Sequence, residues 1–305
     1  MKYSVSNPPH VLSPVSTQRL MLNVVLSLVP CAALGVYNFG LPALWVLLVY
    51  PAAAVMAELV WQALARKPIR VGDLSALVTG LLLGLTLPPS TPLWMAAVGS
   101  AFAIIVAKQF FGGMGHNFMN PALVGRAMLL ISWPAAMSGY VAPGADAVSS
   151  ATPLAQSFSW TDLFMGNIPG SIGEVSKLMI LAGLVWLLFT YTINIRIPLS
   201  MAAGACLVAL AVGENPLSAV MSGGLLFAAV FMATDYVTSP ATNKGKFIFA
   251  IGCGVITMLI RIYGNYPEGV SFAILLMNIV TPLIDRATMT RPFGALVPAQ
   301  GGDGK

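Results

Sequence analysis

The residues best placed to do chemistry form a short polar stretch, Asp146-Ala147-Val148-Ser149-Ser150-Ala151-Thr152, set between blocks of strongly hydrophobic sequence. Ser149, Ser150 and Thr152 offer hydroxyls, and Pro153 favours an extended backbone at Thr152. A modifying enzyme could reach an extended, exposed hydroxyl. A phosphoester needs only a Thr or Ser side chain, and a cofactor held through its phosphate keeps its ring free for redox work. From the residues alone, a solvated Ser/Thr/Ala loop is the simpler reading.

A second candidate is the turn Gly112–Pro121, which carries His116, Asn117 and Asn120. Two asparagines three residues apart could both reach one planar, hydrogen-bonding ligand. Asn before Pro is equally the start of a helix, so capping by Asn120 stands beside that reading. A third is Gly166-Asn-Ile-Pro-Gly-Ser-Ile-Gly-Glu174, whose glycines let backbone approach a ligand closely, or simply turn the chain into a helix.

Charges within apolar spans need partners, because each costs about 2.5–3.5 kcal/mol or more at a bilayer centre. Glu58 and Arg126 could pair, line an ion path or snorkel; Asp235, beside Thr234 and Thr238, suits capping or a hard cation. Cys31, Cys206 and Cys253 lie in apolar runs without CxxC spacing, which argues against an iron–sulfur site or a disulfide framework built by this chain alone. The chain has no Rossmann glycine fingerprint.

The elements that position these residues must be membrane helices. Of 305 residues, 57% are hydrophobic and only 8% charged, against about 25% charge in a soluble domain. Such a chain is expected to have bilayer lipid as its solvent, to bind no nucleic acid, and to keep its first hydrophobic helix as an anchor. Ten spans are predicted at 19–38, 41–65, 73–88, 93–111, 120–138, 177–194, 197–213, 216–234, 246–263 and 269–287, the third short because it ends at Pro88-Pro89. With the N-terminus inside, Arg66, Lys67, Arg70, Lys108, Lys244 and Lys246 fall at cytoplasmic ends, and Asp146, Asp162, Glu174, Glu214 and Glu268 fall outside. Lys177 and Arg261 are exceptions near outer ends. The positive-inside rule thus predicts both termini cytoplasmic and the Thr152 loop on the outer face.

The predicted organisation is a cytoplasmic segment 1–18, a first transmembrane repeat 19–138, an outer loop 139–176, a second repeat 177–287 and a cytoplasmic tail 288–305. Five spans plus five would invert the second half. Two echoes support an inverted repeat: Val78-Thr-Gly-Leu-Leu82 with Ser222-Gly-Gly-Leu-Leu226, and Lys108-Gln-Phe-Phe-Gly112 with Arg261-Ile-Tyr-Gly264.

Over nearly its whole length the sequence resembles the NqrB/RnfD family of membrane subunits. The resemblance rests on Asp73–Gly80 with Leu85-Thr-Leu-Pro-Pro89, Phe111–Ala122, Asp146–Thr152, Gly166–Glu174 and Met232–Pro240. It implies FMN esterified to Thr152 by a flavin transferase, with Asp146, Ser149 and Ala151 completing the acceptor pattern. Ser150 stands where the family usually has Gly and is a minor rival acceptor. It also implies non-covalent riboflavin near Asn117 and Asn120. The compact length favours the Rnf-type branch. The expected function is therefore that of a flavin-carrying electron-transfer subunit in a bacterial or archaeal cytoplasmic membrane. Its Rnf-type partners, membrane and peripheral, would supply the ferredoxin and NAD+ sites, and electron flow would be coupled to Na+ or H+ movement. No catalytic or metal-binding residue is assigned; Glu58 and Asp235 are the candidates for an ion path. A subunit of a quinone-reducing sodium pump, or a small-solute transporter without covalent flavin, are the competing expectations.

Overall fold

The computed structural model describes residues 16–143, 148–149, 159–264 and 269–289. Asp146, Ser150, Ala151 and Thr152 lie outside the described residues, as do the first fifteen residues and those from 290 onward.

Helix α1, Thr17–Leu64, starts where the Ser16 hydroxyl accepts from Arg19 N–H at 3.2 Å. Gly40 breaks it (φ 67°, ψ −148°), a conformation that needs glycine. The chain folds back there, so Thr17 and Gln62 border one cleft. α2 is Ser75–Leu85, preceded by Asp73, whose carboxylate accepts from both Ser75 N–H (2.9 Å) and Ser75 Oγ (2.6 Å). Its eleven residues rise only about 16 Å, half of a ~30 Å apolar core. α3, Trp94–Ala101, runs on as a π-helical stretch, Phe102–Gln109. α4, Pro121–Ser132, is capped by Asn120 and followed by the single turn α5, Pro134–Met137. A two-residue ladder pairs Tyr140 and Val141 with Ser149 and Val148. α6 is Trp160–Met165, α7 Lys177–Phe189, α8 Arg196–Val212, α9 Pro216–Met221, α10 Leu225–Phe231, α11 Asn243–Tyr263 and α12 Val270–Thr288.

The protein is an all-α, multi-pass membrane protein. α1, α11 and α12 are long and apolar enough to cross a bilayer, and five shorter apolar helices accompany them. Tyr37, Trp45, Phe189, Leu207 and Leu283 stand exposed on the outside of the bundle, as a lipid-facing surface requires.

Hydrogen bonds define two ends. At one, here the basic end, Asn23 reaches Thr192, the Tyr236 hydroxyl donates to Thr192 O, Arg196 reaches Asn243, and Asp285 accepts from Ala241 N–H. At the other, the loop end, Asn38 donates to Gly166 O, Ser90 to Gly139 O, and Arg261 to Ala219 O and Ser222 O.

The structure departs from the predicted spans where backbone chemistry interrupts a helix. The fifth breaks at Trp133-Pro134, the sixth ends at Phe189, and the eighth, predicted continuous over 216–234, is two short helices parted at Ser222–Gly224. The predicted outer loop 139–176 is more than a surface connection. Its last part, Ile168 to Ser176, is buried irregular backbone that donates from Ile172 N to Leu87 O (3.0 Å) and from Gly173 N to Leu85 O (2.7 Å). Irregular backbone at membrane depth survives only when protein supplies its partners.

α8 and α11 cross in near-contact because Gly204 and Gly254 face each other's backbones. A Cβ on Gly254 would overlap Met201 O, and one on Gly204 would lie 2.6 Å from Ile251 O. Gly254→Ala is therefore expected to force the helices apart and destabilise the protein by about 1–3 kcal/mol, as overpacking does. Gly72→Ala, with nothing within 4 Å of its Cβ position, is expected to be nearly neutral. Unfolding of both variants in mixed micelles checks the difference.

Candidate functional site

At the basic end, the start of α2, the Gly112–Pro121 turn, the end of α10 and the following 232–239 segment border an open cavity of about 100 Å³. Val78, Leu82, Leu187, Ile193 and Phe231 form apolar walls, while Thr79, Lys108, Asn117, Asn120 and Asp235 contribute polar groups.

Each polar group is fixed by its own element. Asn120 Oδ1 accepts from Ala122 N (3.0 Å) and Leu123 N (3.3 Å), and its amide donates to Met232 O (3.2 Å), tying the start of α4 to the segment after α10. Asn278, its amide oriented to satisfy both neighbours, accepts from Asn120 N at 3.1 Å and donates to Thr238 O at 3.3 Å. Asn117 donates to Met119 O at 3.2 Å, which leaves its carbonyl oxygen to accept. Asp235 accepts from Thr238 Oγ1 at 3.1 Å; Thr234 instead donates to Val230 O at 2.6 Å.

Beside the cavity lies a more polar cleft, bordered by Glu58, Gln62, Asp73, Gln109 and His116 together with Lys67 and Arg70. Glu58 and Lys108 are both buried and form an ion pair at 2.8 Å. Glu58 Oε1 also accepts from Gln109 (2.6 Å) and Gln62 (3.3 Å), while its Oε2 has no hydrogen-bond partner. Lys108 makes a second bond, to Ser75 Oγ at 2.5 Å.

A second buried ion pair, Arg126–Glu174 at 3.0 Å, sits at the loop end. Next to it the fully buried Lys177 ammonium donates to Glu174 O (2.7 Å) and Gly223 O (3.3 Å). Glu58 and Arg126 therefore do not pair with each other, and Lys177 lies inside the protein rather than at an outer surface. Glu58 is held inside the bundle by Lys108 and Gln109. Among the described residues no group of three or more His, Cys, Asp or Glu could hold a metal ion.

Asn117, Asn120 and Asp235 thus meet in one cavity, and Glu58 borders the adjoining cleft. Asn120 is the helix cap that the Asn-Pro spacing allowed; its oxygen already accepts two backbone N–H bonds, so Asn117 has the freer acceptor. His116 lines the cleft. Of the acceptor stretch only the backbone of Val148 and Ser149 is described, paired with Val141 and Tyr140. Sequence reasoning missed Lys108 and Glu174 as site residues. The one available signal was that each is an ionisable group next to long apolar runs.

Compared with known proteins, residues 4–294 match the NQR2, RnfD, RnfE family. The chain belongs to this family. It is 47% identical to a subunit of the Na(+)-translocating ferredoxin:NAD(+) oxidoreductase complex of Acetobacterium woodii, over 96% of both chains. It is 43% identical to a subunit of the proton-translocating ferredoxin:NAD(+) oxidoreductase complex of Clostridium ljungdahlii, again over 96% of both. To a subunit of the ion-translocating oxidoreductase complex of Stutzerimonas stutzeri it is 42% identical, over 92% of both. In this NQR2, RnfD, RnfE family member, three of the segments that carry the resemblance border the same cavity. Ser75, Val78 and Thr79 come from the first, Met114 to Ala122 from the second, and Thr234 to Val237 from the last.

The Arg126–Glu174 pair holds the buried 166–176 segment to α4. Removing one partner of a buried pair costs about 3–5 kcal/mol. Glu174→Gln is expected to lose that much, read as an earlier unfolding midpoint in mixed micelles; an unchanged midpoint would show that backbone contacts alone anchor the segment.

Proposed function

We propose that this chain is the flavin-carrying electron-transfer subunit of an Rnf-type complex, coupling electron flow between ferredoxin and NAD+ to Na+ or H+ movement across a cytoplasmic membrane. The observation that carries the reading is the near full-length likeness to relatives named as subunits of such complexes. The basic end is the cytoplasmic face, with both termini there, and the loop end is the outer face; lysine and arginine at Arg66, Lys67, Arg70, Lys244 and Lys246 support that orientation. Ferredoxin and NAD+ sites belong to partner subunits, since this chain has neither a cysteine cluster nor a dinucleotide fingerprint.

In this reading the chain holds two flavins. FMN is esterified to the Thr152 hydroxyl by a flavin transferase, in the stretch Asp146 to Thr152. Non-covalent riboflavin occupies the cytoplasmic cavity. The residues there fit a flavin: aliphatic and aromatic walls suit the two faces of a flat ring, the Asn117 carbonyl offers an acceptor for a ring N–H, and Thr79 adds a hydroxyl. The flavins supply one- and two-electron redox chemistry. The chain's own residues orient the ring edge at Asn117, exclude water with Phe231 and Leu82, and hold α4 and the 232–239 segment at fixed spacing through Asn120. An apolar core of about 30 Å is too wide for one useful electron hop, so partner subunits carry the intermediate centres. The two halves form an inverted repeat, with the binding cavity where they meet.

Two measurements test this. The denatured chain, co-expressed with its flavin transferase, is expected to fluoresce in the gel, and Thr152→Ala to be dark. A dark wild-type band, with the transferase active on a control substrate, sinks the covalent anchor. Acid-extractable flavin of the assembled complex is expected to drop at least tenfold in Asn117→Leu while the covalent signal stays.

A further inference from the structure

The wall between the cavity and the polar cleft is a buried ion pair. Ser75 and Lys108 face the cavity, Glu58 and Gln109 face the cleft, and Met114 borders both. Among the described residues lining the cavity, Lys108 is the one cation and Asp235 the one acid. Lys108 and Gln109 are consecutive, and in an ordinary α-helix they would point about 100° apart. Here the turn is wider: Phe110 N bonds Ile105 O and Gly113 N bonds Lys108 O, both five residues back and both at 3.0 Å. That π-helical turn lets both side chains converge on the same Glu58 oxygen. Such turns recur at functional sites.

We propose that Lys108 is the residue that sets how readily the flavin in the cytoplasmic cavity accepts electrons, and that Glu58, from the cleft side, holds that influence in check. The inference rests on the reading of the cavity as a flavin site. Reduction places negative charge on the ring, and a fixed ammonium in a poorly screened wall favours it. Glu58 accepts the ammonium's hydrogen bond and offsets part of its field, while Ser75 Oγ stands between the ammonium and Asp73. Glu58 Oε2 is buried without a hydrogen-bond partner, and Glu58 as a residue lines the polar cleft. Lys108 acts here as a positioning and tuning group, not as a proton donor.

The test is spectroelectrochemical titration of the non-covalent flavin in the purified, assembled complex. Lys108→Met is expected to shift the one-electron equilibrium at least tenfold against reduction, about 59 mV more negative. Glu58→Gln, which keeps a hydrogen-bonding group but removes the counter-charge, is expected to shift it at least tenfold the other way. Lys108→Arg, retaining the charge, is expected to recover most of the wild-type value. A purely structural role for the pair would move both neutral variants the same way, or move neither while flavin stays bound; either result overturns the inference. If Lys108→Met loses its flavin, the Glu58→Gln and Lys108→Arg potentials still decide. A wild-type complex with no extractable flavin, or one whose flavin is insensitive to Asn117→Leu, instead overturns the cavity reading itself.

Discussion

A charge or a free carbonyl placed at membrane depth has no water to turn to, and this chain meets that constraint with its own side chains. Where α9 stops short, its last carbonyls lose their helical partners, and buried cations take them up. Arg261 donates to Ala219 O and Ser222 O at the end of α9, and Lys177 donates to Gly223 O in the gap that follows. Lys108 grips the other short helix, α2, through Ser75 at its start. The two carboxylates that balance these cations, Glu58 and Glu174, are buried as well. At the α9–α10 break and at the start of α2, interrupted helix and buried charge therefore lie together.

That arrangement explains why the cavity lies where it does. α2 covers only part of the depth, and α10 stops at Phe231, so the space between them at the basic end is bounded by turns instead of by continuous helix. Turns present amides and hydroxyls that a helix would consume internally. Asn120 closes the space on one side by bonding both its own helix and Met232 O; Asp235 and Thr238 close it on the other. The result is a largely apolar space whose polar groups come from the turns and helix ends around it.

Much of this was legible in the sequence, and the remainder depended on crossing geometry. The hydropathy pattern locates the passes closely, the Gly40 reversal between 38 and 41 included, and Pro88-Pro89 marks α2 as short. Asn117, Asn120 and Asp235 were identifiable as candidates from residue type and local spacing, although only the fold shows that they border one space. Partnerships were not legible. Glu58 and Lys108 are fifty residues apart, Arg126 and Glu174 forty-eight, and nothing local says which charge meets which. Ser222-Gly-Gly224 suggests close helix packing as readily as it suggests a break; what decides is that Gly224 must admit the Glu174 carboxylate, 2.5 Å from where a Cβ would stand. The 166–176 segment looks like an outer turn because its glycines and serine are polar in character, yet its backbone finds partners in Leu85 and Leu87.

The two ends of the bundle are related but not equivalent under the inverted-repeat reading. Lys108 and Arg261 both lie at the C-terminal end of the fourth helix of their half, and each reaches the third: α2 through Ser75, α9 through Ala219 and Ser222. Inverting the basic-end cavity onto the loop end places its counterpart between the end of α2 and the start of α10. There the chain has inserted Gly173 and Glu174. A Cβ on Gly173 would meet Leu85 at 2.8 Å and Phe227 at 3.1 Å, so the fit leaves room for backbone alone. The 166–176 connection thus fills the space between α2 and α10 at the loop end. Filling it required a carboxylate to be buried, and Arg126 from α4 supplies the matching charge. Among the described residues no such insert lies at the basic end, where Lys108 borders the cavity and its partner Glu58 borders the cleft behind it. The loop-end gap is thus filled by Gly173 and Glu174 and braced by Arg126, while the basic-end gap stays open among the described residues.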